Sequence, residues 1–171
     1  MNNFTSVRMT HLFNTSILKW SAGFLVLILI QISVLKHLAL ARANIVVQPD
    51  LILILLFFYG IRQSQIASTV TGFFSGLFLD AFSGGMLGMH ALSKTIAGFI
   101  LGYIPRAHKI QTLLHFCLFY FVVSIIHDFV YYLLYTINNE IGMWRLLLVY
   151  SLPSTLYSVF ISGLVFYMLK R

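Results

Sequence analysis

The sequence predicts an all-α integral membrane protein whose six transmembrane helices form one bundle. The chain of 171 residues is 60% hydrophobic and only 9% charged, whereas soluble domains carry about 25% charged residues. Its apolar residues fall into six runs that are separated by short loops. Because these loops leave no room for a soluble module, residues 1–171 are interpreted as a single polytopic membrane domain.

The six apolar runs define the expected helices. A membrane-crossing helix needs about 20 apolar residues, and the spans are placed at about 17–35, 45–61, 66–82, 86–104, 112–135 and 146–169. The second run, LILILLFFYGI, is too short to cross alone, so it must either include residues 45–48 or be partly re-entrant. Pro49 and Asp50 favour a helix start, since proline suits the first turn and an acid complements the positive helix end.

Basic residues give the expected orientation. One side of the predicted bundle carries seven of them, namely Arg8, Lys19, Arg62, Arg106, Lys109, Lys170 and Arg171. The other side carries three, namely Lys36, Arg42 and Arg145. The excess predicts that both termini are cytoplasmic. An alternative is that residues 24–35 form a signal-peptide core with a cleavage site in LALARA (38–43). The uncut chain is favoured because six spans explain the charge bias.

The third and fourth spans carry small residues at helical spacing. In the third span, Ser68, Gly72, Gly76 and Asp80 recur every four residues, and in the fourth span His90, Lys94, Gly98 and Gly102 do the same. Residues four apart share one helix face, and small residues on such a face let a second helix approach closely. The pattern predicts an antiparallel hairpin that turns at residues 83–85, with Gly84 and Gly88 also assigned to its packing.

The charges of this hairpin need partners, because a lone ion in hydrocarbon costs roughly 2.5–3.5 kcal/mol. Asp80 is placed opposite His90 across the turn, with Lys94 one helical turn deeper. We therefore expect an intramembrane charge pair between Asp80 and either His90 or Lys94. An ion or ligand site and contact with a partner protein are the alternatives.

Two polar features lie in the last two spans. His127 and Asp128 are neighbours in the fifth span. One interpretation places one of them toward the bundle core and the other nearer the outer water, and a second pairs Asp128 with Asp80 in the outer half of the bilayer. In the sixth span, SLPST (151–155) predicts a kink at Pro153, where hydroxyl groups can satisfy the freed carbonyl.

Several classes of function are disfavoured by the sequence. Scattered basic residues argue against nucleic-acid binding, and the histidines show no metal-ligand spacing, so no metal, cofactor or catalytic residue is assigned. GGMLG (84–88) resembles a motif of lipoprotein signal peptidases, which would make the chain an intramembrane aspartyl peptidase, but no acid follows in MHALSK. A substrate-binding subunit of a vitamin or micronutrient importer is the other alternative, although SAGFLVLILIQ lacks the alanine-rich docking stripe of such subunits.

One family resembles this pattern more closely. QPDLILILLFFYGI (48–61), GFFSGLFLDAFSGGMLGMHAL (72–92) and GFILGYI (98–104) resemble the MreD family of bacterial rod-shape-determining inner-membrane proteins. The resemblance covers about a third of the chain. The positions that match are Pro49, Asp50, Gly72, Gly76, Asp80, Gly84, Leu87, Gly88, Ala91 and Leu92. Lys94 has no place in that pattern.

The resemblance implies a role in assembly rather than in catalysis. Its members act in the cell-elongation complex that directs lateral peptidoglycan synthesis in the bacterial inner membrane. The expected partner is an MreC-like single-span protein, with an MreB-like filament and the wall synthases acting alongside. The family fold is expected to be similar to that of importer substrate-binding subunits, so the two functional alternatives share an architecture.

Overall fold

The computed structural model describes residues 15–33, 40–42, 45–83, 86–103, 112–137 and 142–170. Helix α1 (Thr15–Ser33) is followed by two short antiparallel strands, β1 (Leu40–Arg42) and β2 (Ile45–Val47), and then by α2 (Leu51–Gly60). Helices α3 (Gln65–Ser83), α4 (Met89–Tyr103) and α5 (Leu113–Ile137) come next. The last helix, α6, comprises Met143–Leu146, a π-helical turn at Leu147–Ser151 and Leu152–Lys170.

Three of these helices are long and apolar enough to cross a membrane: Gln65–Ser83, Leu113–Ile137 and Met143–Leu169. Two shorter apolar segments, Trp20–Ser33 within α1 and the whole of α2 (Leu51–Gly60), lie in the first two predicted spans. Helix α4 has 15 residues and includes Lys94. The mainly helical class is therefore confirmed, and three helices have the length and composition to cross a membrane. Six complete crossings remain a prediction.

The second predicted span, 45–61, needs correction. Residues 45–47 form strand β2, which pairs with β1 so that Leu40 lies opposite Val47. The helix begins only at Leu51, where the Asp50 carboxylate accepts a hydrogen bond of 2.8 Å from the Leu53 amide and caps the first turn. Ten helical residues rise about 15 Å, about half of the hydrocarbon thickness. The β-branched residues Ile45, Val46 and Val47 favour a strand instead of a longer helix.

Helix α2 forms the centre of the bundle. Ile52, Leu53, Leu56 and Phe57 are at most 1% exposed, which explains why the helix is apolar on all sides. The Phe57 ring packs at 5.0–5.4 Å between centroids against Phe116, Phe119 and Tyr120 of α5. On the other side of α2, Tyr59 packs edge-on against Trp20 and Phe24 of α1. A short buried helix thus holds longer helices around it.

Helices α3 and α4 form the antiparallel hairpin with direct backbone contact. A Cβ atom added at Gly76 would lie 2.6 Å from the Ala91 Cα atom, and one at Gly72 would lie 2.9 Å from the Lys94 carbonyl carbon. From the other helix, a Cβ at Gly98 would lie 2.9 Å from the Ser68 carbonyl carbon, and one at Gly102 would lie 3.1 Å from the Gln65 nitrogen. These four glycines leave no space for a side chain between the two helices.

The turn glycines differ from the packing glycines. Gly88 has a φ of 104°, a conformation that L residues with side chains rarely adopt. An added Cβ at Gly88 would meet nothing within 4 Å, so its assignment to helix packing is wrong and its requirement is conformational. Gly84 lies outside the described residues.

The π-helical turn of α6 ends two residues before Pro153. Proline removes a backbone hydrogen bond from a helix, and a local π-turn can satisfy the backbone groups that it frees. The nearby hydroxyl groups do not serve the purpose that the sequence suggested. Ser151 and Thr155 donate to the Asp128 carboxylate, and Ser154 donates to the Gln48 carbonyl oxygen at 2.5 Å. The proline segment therefore supplies hydroxyl groups to a polar cluster inside the bundle.

Candidate functional site

A cluster of charged and polar side chains lies between the helices, toward the end of the bundle where α2 and α4 begin. Four helices and the residue that caps α2 contribute to it, and we call it the buried polar cluster. Its members are Gln31 of α1, Asp50 before α2, Lys94 of α4, His127 and Asp128 of α5, and Ser151, Thr155 and Ser158 of α6.

An ion pair between Asp50 and Lys94 forms the centre of the cluster. The Lys94 ammonium group donates to Asp50 Oδ2, and the lysine side chain is fully buried. Asp50 Oδ1 accepts from the Leu53 amide at 2.8 Å and from Gln31 Nε2 at 3.4 Å. One carboxylate thus caps α2, neutralises the only lysine of α4 and contacts α1.

His127 joins this ion pair to a second carboxylate. Lys94 Nζ lies 3.3 Å from His127 Nε2, and His127 Nδ1 lies 2.9 Å from Asp128 Oδ1. An ammonium group can only donate, so Nε2 accepts and the ring proton is assigned to Nδ1. The resulting neutral imidazole donates to Asp128 and fixes its position.

Asp128 binds α5 to α6. Its Oδ2 atom accepts hydrogen bonds from the Ser151 hydroxyl at 2.5 Å and the Thr155 hydroxyl at 3.1 Å. Thr155 also lies 3.2 Å from the Ser124 hydroxyl of α5. Each of these contacts crosses from one helix to another, so the cluster fixes the relative positions of α2, α4, α5 and α6.

Asp80 has a different function from the one that the sequence suggested. Its carboxylate accepts three backbone N–H groups at the start of α4, from Gly88 at 2.9 Å and from His90 and Ala91 at 3.0 Å each. The first amides of a helix lack partners within it and carry a partial positive charge. These three bonds stabilise the negative charge of Asp80, which is only 2% exposed, so its carboxylate needs no charged side chain as a partner.

The predicted charge pair of Asp80 with Lys94 or the His90 side chain is therefore wrong. Lys94 forms its ion pair with Asp50. The His90 ring stacks on Tyr131, with ring centroids 4.5 Å apart. The interpretation that paired Asp80 with Asp128 is also wrong, since the bonds of Asp128 come from His127, Ser151 and Thr155. The physical reason is that the helix start supplies Asp80 with nearer donors than any side chain does.

Sequence reasoning missed the pairing of Asp50 with Lys94. The sequence marks Asp50 as a helix start and as a position of the family pattern, and its ion-pair partner lies 44 residues further along the chain. One signal was available: both residues fall in the outer half of the predicted bundle, and an intramembrane lysine requires an acid at its own depth. Gln31 and the hydroxyl groups of α6 gave no such signal.

A mainly helical chain with three apolar helices of membrane-spanning length and a buried ion pair has the features of a polytopic membrane protein. The family model described as rod shape-determining protein MreD matches residues 14–170. The chain therefore belongs to the MreD family and is a rod-shape-determining membrane protein. No curated protein and no solved structure gives a significant match.

We expect Asp80→Asn to lower the thermal stability of the detergent-solubilised protein. The amide keeps one acceptor oxygen but turns an NH₂ group toward at least one backbone N–H, and an unsatisfied buried donor costs about 1–3 kcal/mol. Ser83→Ala is the matched control, because Ser83 donates to the Asp80 carbonyl oxygen and leaves the carboxylate untouched. Equal melting temperatures for the two variants in a dye-based thermal assay would contradict the capping function of Asp80.

Proposed function

We propose that the chain is a non-enzymatic subunit of the bacterial cell-elongation complex in the cytoplasmic membrane. In this proposal it binds an MreC-like single-span protein and supports lateral peptidoglycan synthesis alongside an MreB-like filament and the wall synthases. The observation that carries the proposal is the match to the shape-determining family over residues 14–170.

The geometry of the polar groups supports an assembly role. Lys94 and the carboxylates of Asp50, Asp80 and Asp128 all bind other helices or a helix start. Such bonds determine how the helices are placed and hold the bundle in one arrangement. A bundle of fixed shape can present a constant surface to a partner helix.

The outer surface of the bundle supports the same proposal. An apolar groove of about 290 Å³ runs between α1, α2 and α3. Phe74 and Phe78 on its α3 wall are at least 50% exposed. Lipid or a partner helix can cover such a surface, and the family supplies the reason to expect a partner.

We also propose that both termini are cytoplasmic. The antiparallel α3–α4 hairpin places Arg62, which precedes α3, at the same end as the close of α4. The seven-to-three distribution of basic residues supports a cytoplasmic location for that end. The buried polar cluster then lies toward the outer face. The similarity to importer substrate-binding subunits stays a prediction.

Co-purification tests the proposed partner. The full chain, tagged at its C-terminus, is crosslinked in native membranes and extracted in mild detergent, and the bound proteins are quantified by mass spectrometry. We expect a single-span protein with a large extracytoplasmic part in near-stoichiometric amount. An unrelated multi-span protein with the same tag is the control. Recovery of an ATPase and a coupling subunit in its place would contradict the proposal and favour the importer alternative.

A further inference from the structure

A polar cavity of about 170 Å³ lies beside the buried polar cluster. It is lined by acidic, aromatic and amide side chains, including Asp50, Asp128, His90, Tyr131, Tyr132 and Tyr150. The hydrogen bonds of the buried polar cluster explain why Asp50 and Asp128 are present, but they do not explain the cavity or its three tyrosines. A cavity with this polar lining indicates a polar occupant.

The charges next to the cavity are not balanced. Lys94 neutralises Asp50, whereas Asp128 receives hydrogen bonds only from neutral groups in the described part of the chain: the His127 ring, Ser151 and Thr155. The Asp128 side chain is 17% exposed, and Asp128 lines the cavity. A carboxylate in this setting favours a cation beside it, because the surroundings screen charge less than water does.

The aromatic side chains suit the same kind of ligand. The Tyr131 and Tyr132 rings lie 5.3 Å apart with an interplanar angle of 81°, which is an edge-to-face arrangement. Aromatic ring faces attract cations, including the ammonium group of lysine. His90 stacks on Tyr131 with ring centroids 4.5 Å apart, and Tyr132 and Tyr150 also line the cavity.

His90 adds a hydrogen-bonding requirement. Its Nδ1 atom is buried and has no hydrogen-bond partner among the described residues, and His90 lines the cavity. Buried polar atoms without partners are rare and point to a missing water, ion or ligand. In the tautomer that carries the proton on Nε2, Nδ1 accepts a hydrogen bond. His90 and Asp128 both line the cavity, so a donor-rich cation there has acceptor side chains on two helices.

We infer that the cavity binds a primary ammonium group. A primary ammonium has three donors, which match the carboxylate, the imidazole nitrogen and the tyrosine or amide oxygens around the cavity. Divalent metals suit it less, because the described residues contain no group of three or more metal-ligating side chains. The ammonium group can come from a soluble amine or from the ethanolamine headgroup of a bilayer lipid. This inference is independent of the proposed partner complex.

The first experiment measures binding of soluble ethanolamine to the full chain in nanodiscs made only of phosphatidylcholine. Ethylene glycol serves as the uncharged isostere. We expect ethanolamine to raise the melting temperature in a saturable way and ethylene glycol to leave it unchanged. Asp128→Asn should weaken the apparent affinity by about tenfold, because it removes the charged partner while keeping the shape of the side chain.

A second variant covers the possibility that Asp128→Asn fails to fold. His90→Phe keeps a ring on Tyr131 and removes the unpaired nitrogen, so we expect weaker ethanolamine binding in a folded protein. Tyr167→Phe is the control, because Tyr167 lines a separate apolar groove between α5 and α6. Equal ethanolamine affinities in wild type, Asp128→Asn and His90→Phe would overturn the inference.

The source of the ammonium group is distinguished in nanodiscs that contain phosphatidylethanolamine. Native mass spectrometry should show this lipid retained by the wild type and lost from His90→Phe if the headgroup occupies the cavity. Ethanolamine binding in phosphatidylcholine discs without selective lipid retention identifies a soluble amine instead. The absence of both soluble binding and lipid retention in the wild type would contradict an ammonium site.

Discussion

Replacing Lys94 by methionine is expected to destabilise the bundle by about 3–5 kcal/mol, since removal of one member of a buried ion pair leaves the other charge uncompensated. The Lys94 side chain is fully buried, and its ammonium group donates to Asp50 and approaches His127 Nε2 at 3.3 Å. Methionine fills similar space without charge. A melting curve in nanodiscs and the yield of monodisperse protein measure the effect.

The double variant Asp50→Asn with Lys94→Met separates charge imbalance from loss of packing. Replacement of a whole buried ion pair by neutral groups is often tolerated, so the double variant should recover much of the stability that Lys94→Met loses. Asparagine at position 50 still caps α2. Recovery will nevertheless be incomplete, because asparagine accepts a weaker hydrogen bond from Gln31 than aspartate does. If the double variant were no more stable than Lys94→Met, the energetic coupling of Asp50 with Lys94 would be refuted.

The helix positions followed from sequence wherever an apolar run had clear ends. The third span was predicted at 66–82, and α3 covers Gln65–Ser83. The second span was misplaced because its first residues are apolar and β-branched, which hydropathy alone cannot distinguish from helix. Pro49 and Asp50 carried the right signal, and a ten-residue helix is compatible with a bundle in which longer neighbours surround it.

The partners of the charged residues were harder to predict. Four-residue spacing shows which residues share a helix face, but it does not show that a helix start can receive a carboxylate. Spacing alone therefore predicts a basic side chain as the partner of Asp80, whereas three backbone amides satisfy its carboxylate. The pairing of Asp50 with Lys94 depends on how α2 and α4 pack, which is a tertiary property that sequence spacing does not contain.

The prediction with the second largest effect concerns Gly76, where the two backbones of the α3–α4 hairpin meet. Gly76→Ala should destabilise the protein by about 1–3 kcal/mol, the usual range for overpacking, and Gly76→Leu should cost more. An added Cβ lies 2.6 Å from Ala91 Cα, so backbone rather than a flexible side chain must move. Thermal unfolding in nanodiscs measures both variants.

Gly23→Ala is the matched control for Gly76→Ala. Both glycines lie within helices, but a Cβ at Gly23 would lie 3.9 Å from Leu55 Cδ2, which is ordinary contact. Alanine is the better helix former by about 1 kcal/mol at either site, so helix propensity alone would stabilise both variants. A loss of stability confined to position 76 therefore isolates the close approach of α3 and α4. We also expect less partner protein to co-purify with the Gly76 variants. The reason is that separation of α3 from α4 would displace both the Asp80 cap and the outer surface of α3. Unchanged stability and unchanged partner recovery in Gly76→Leu would refute the packing account.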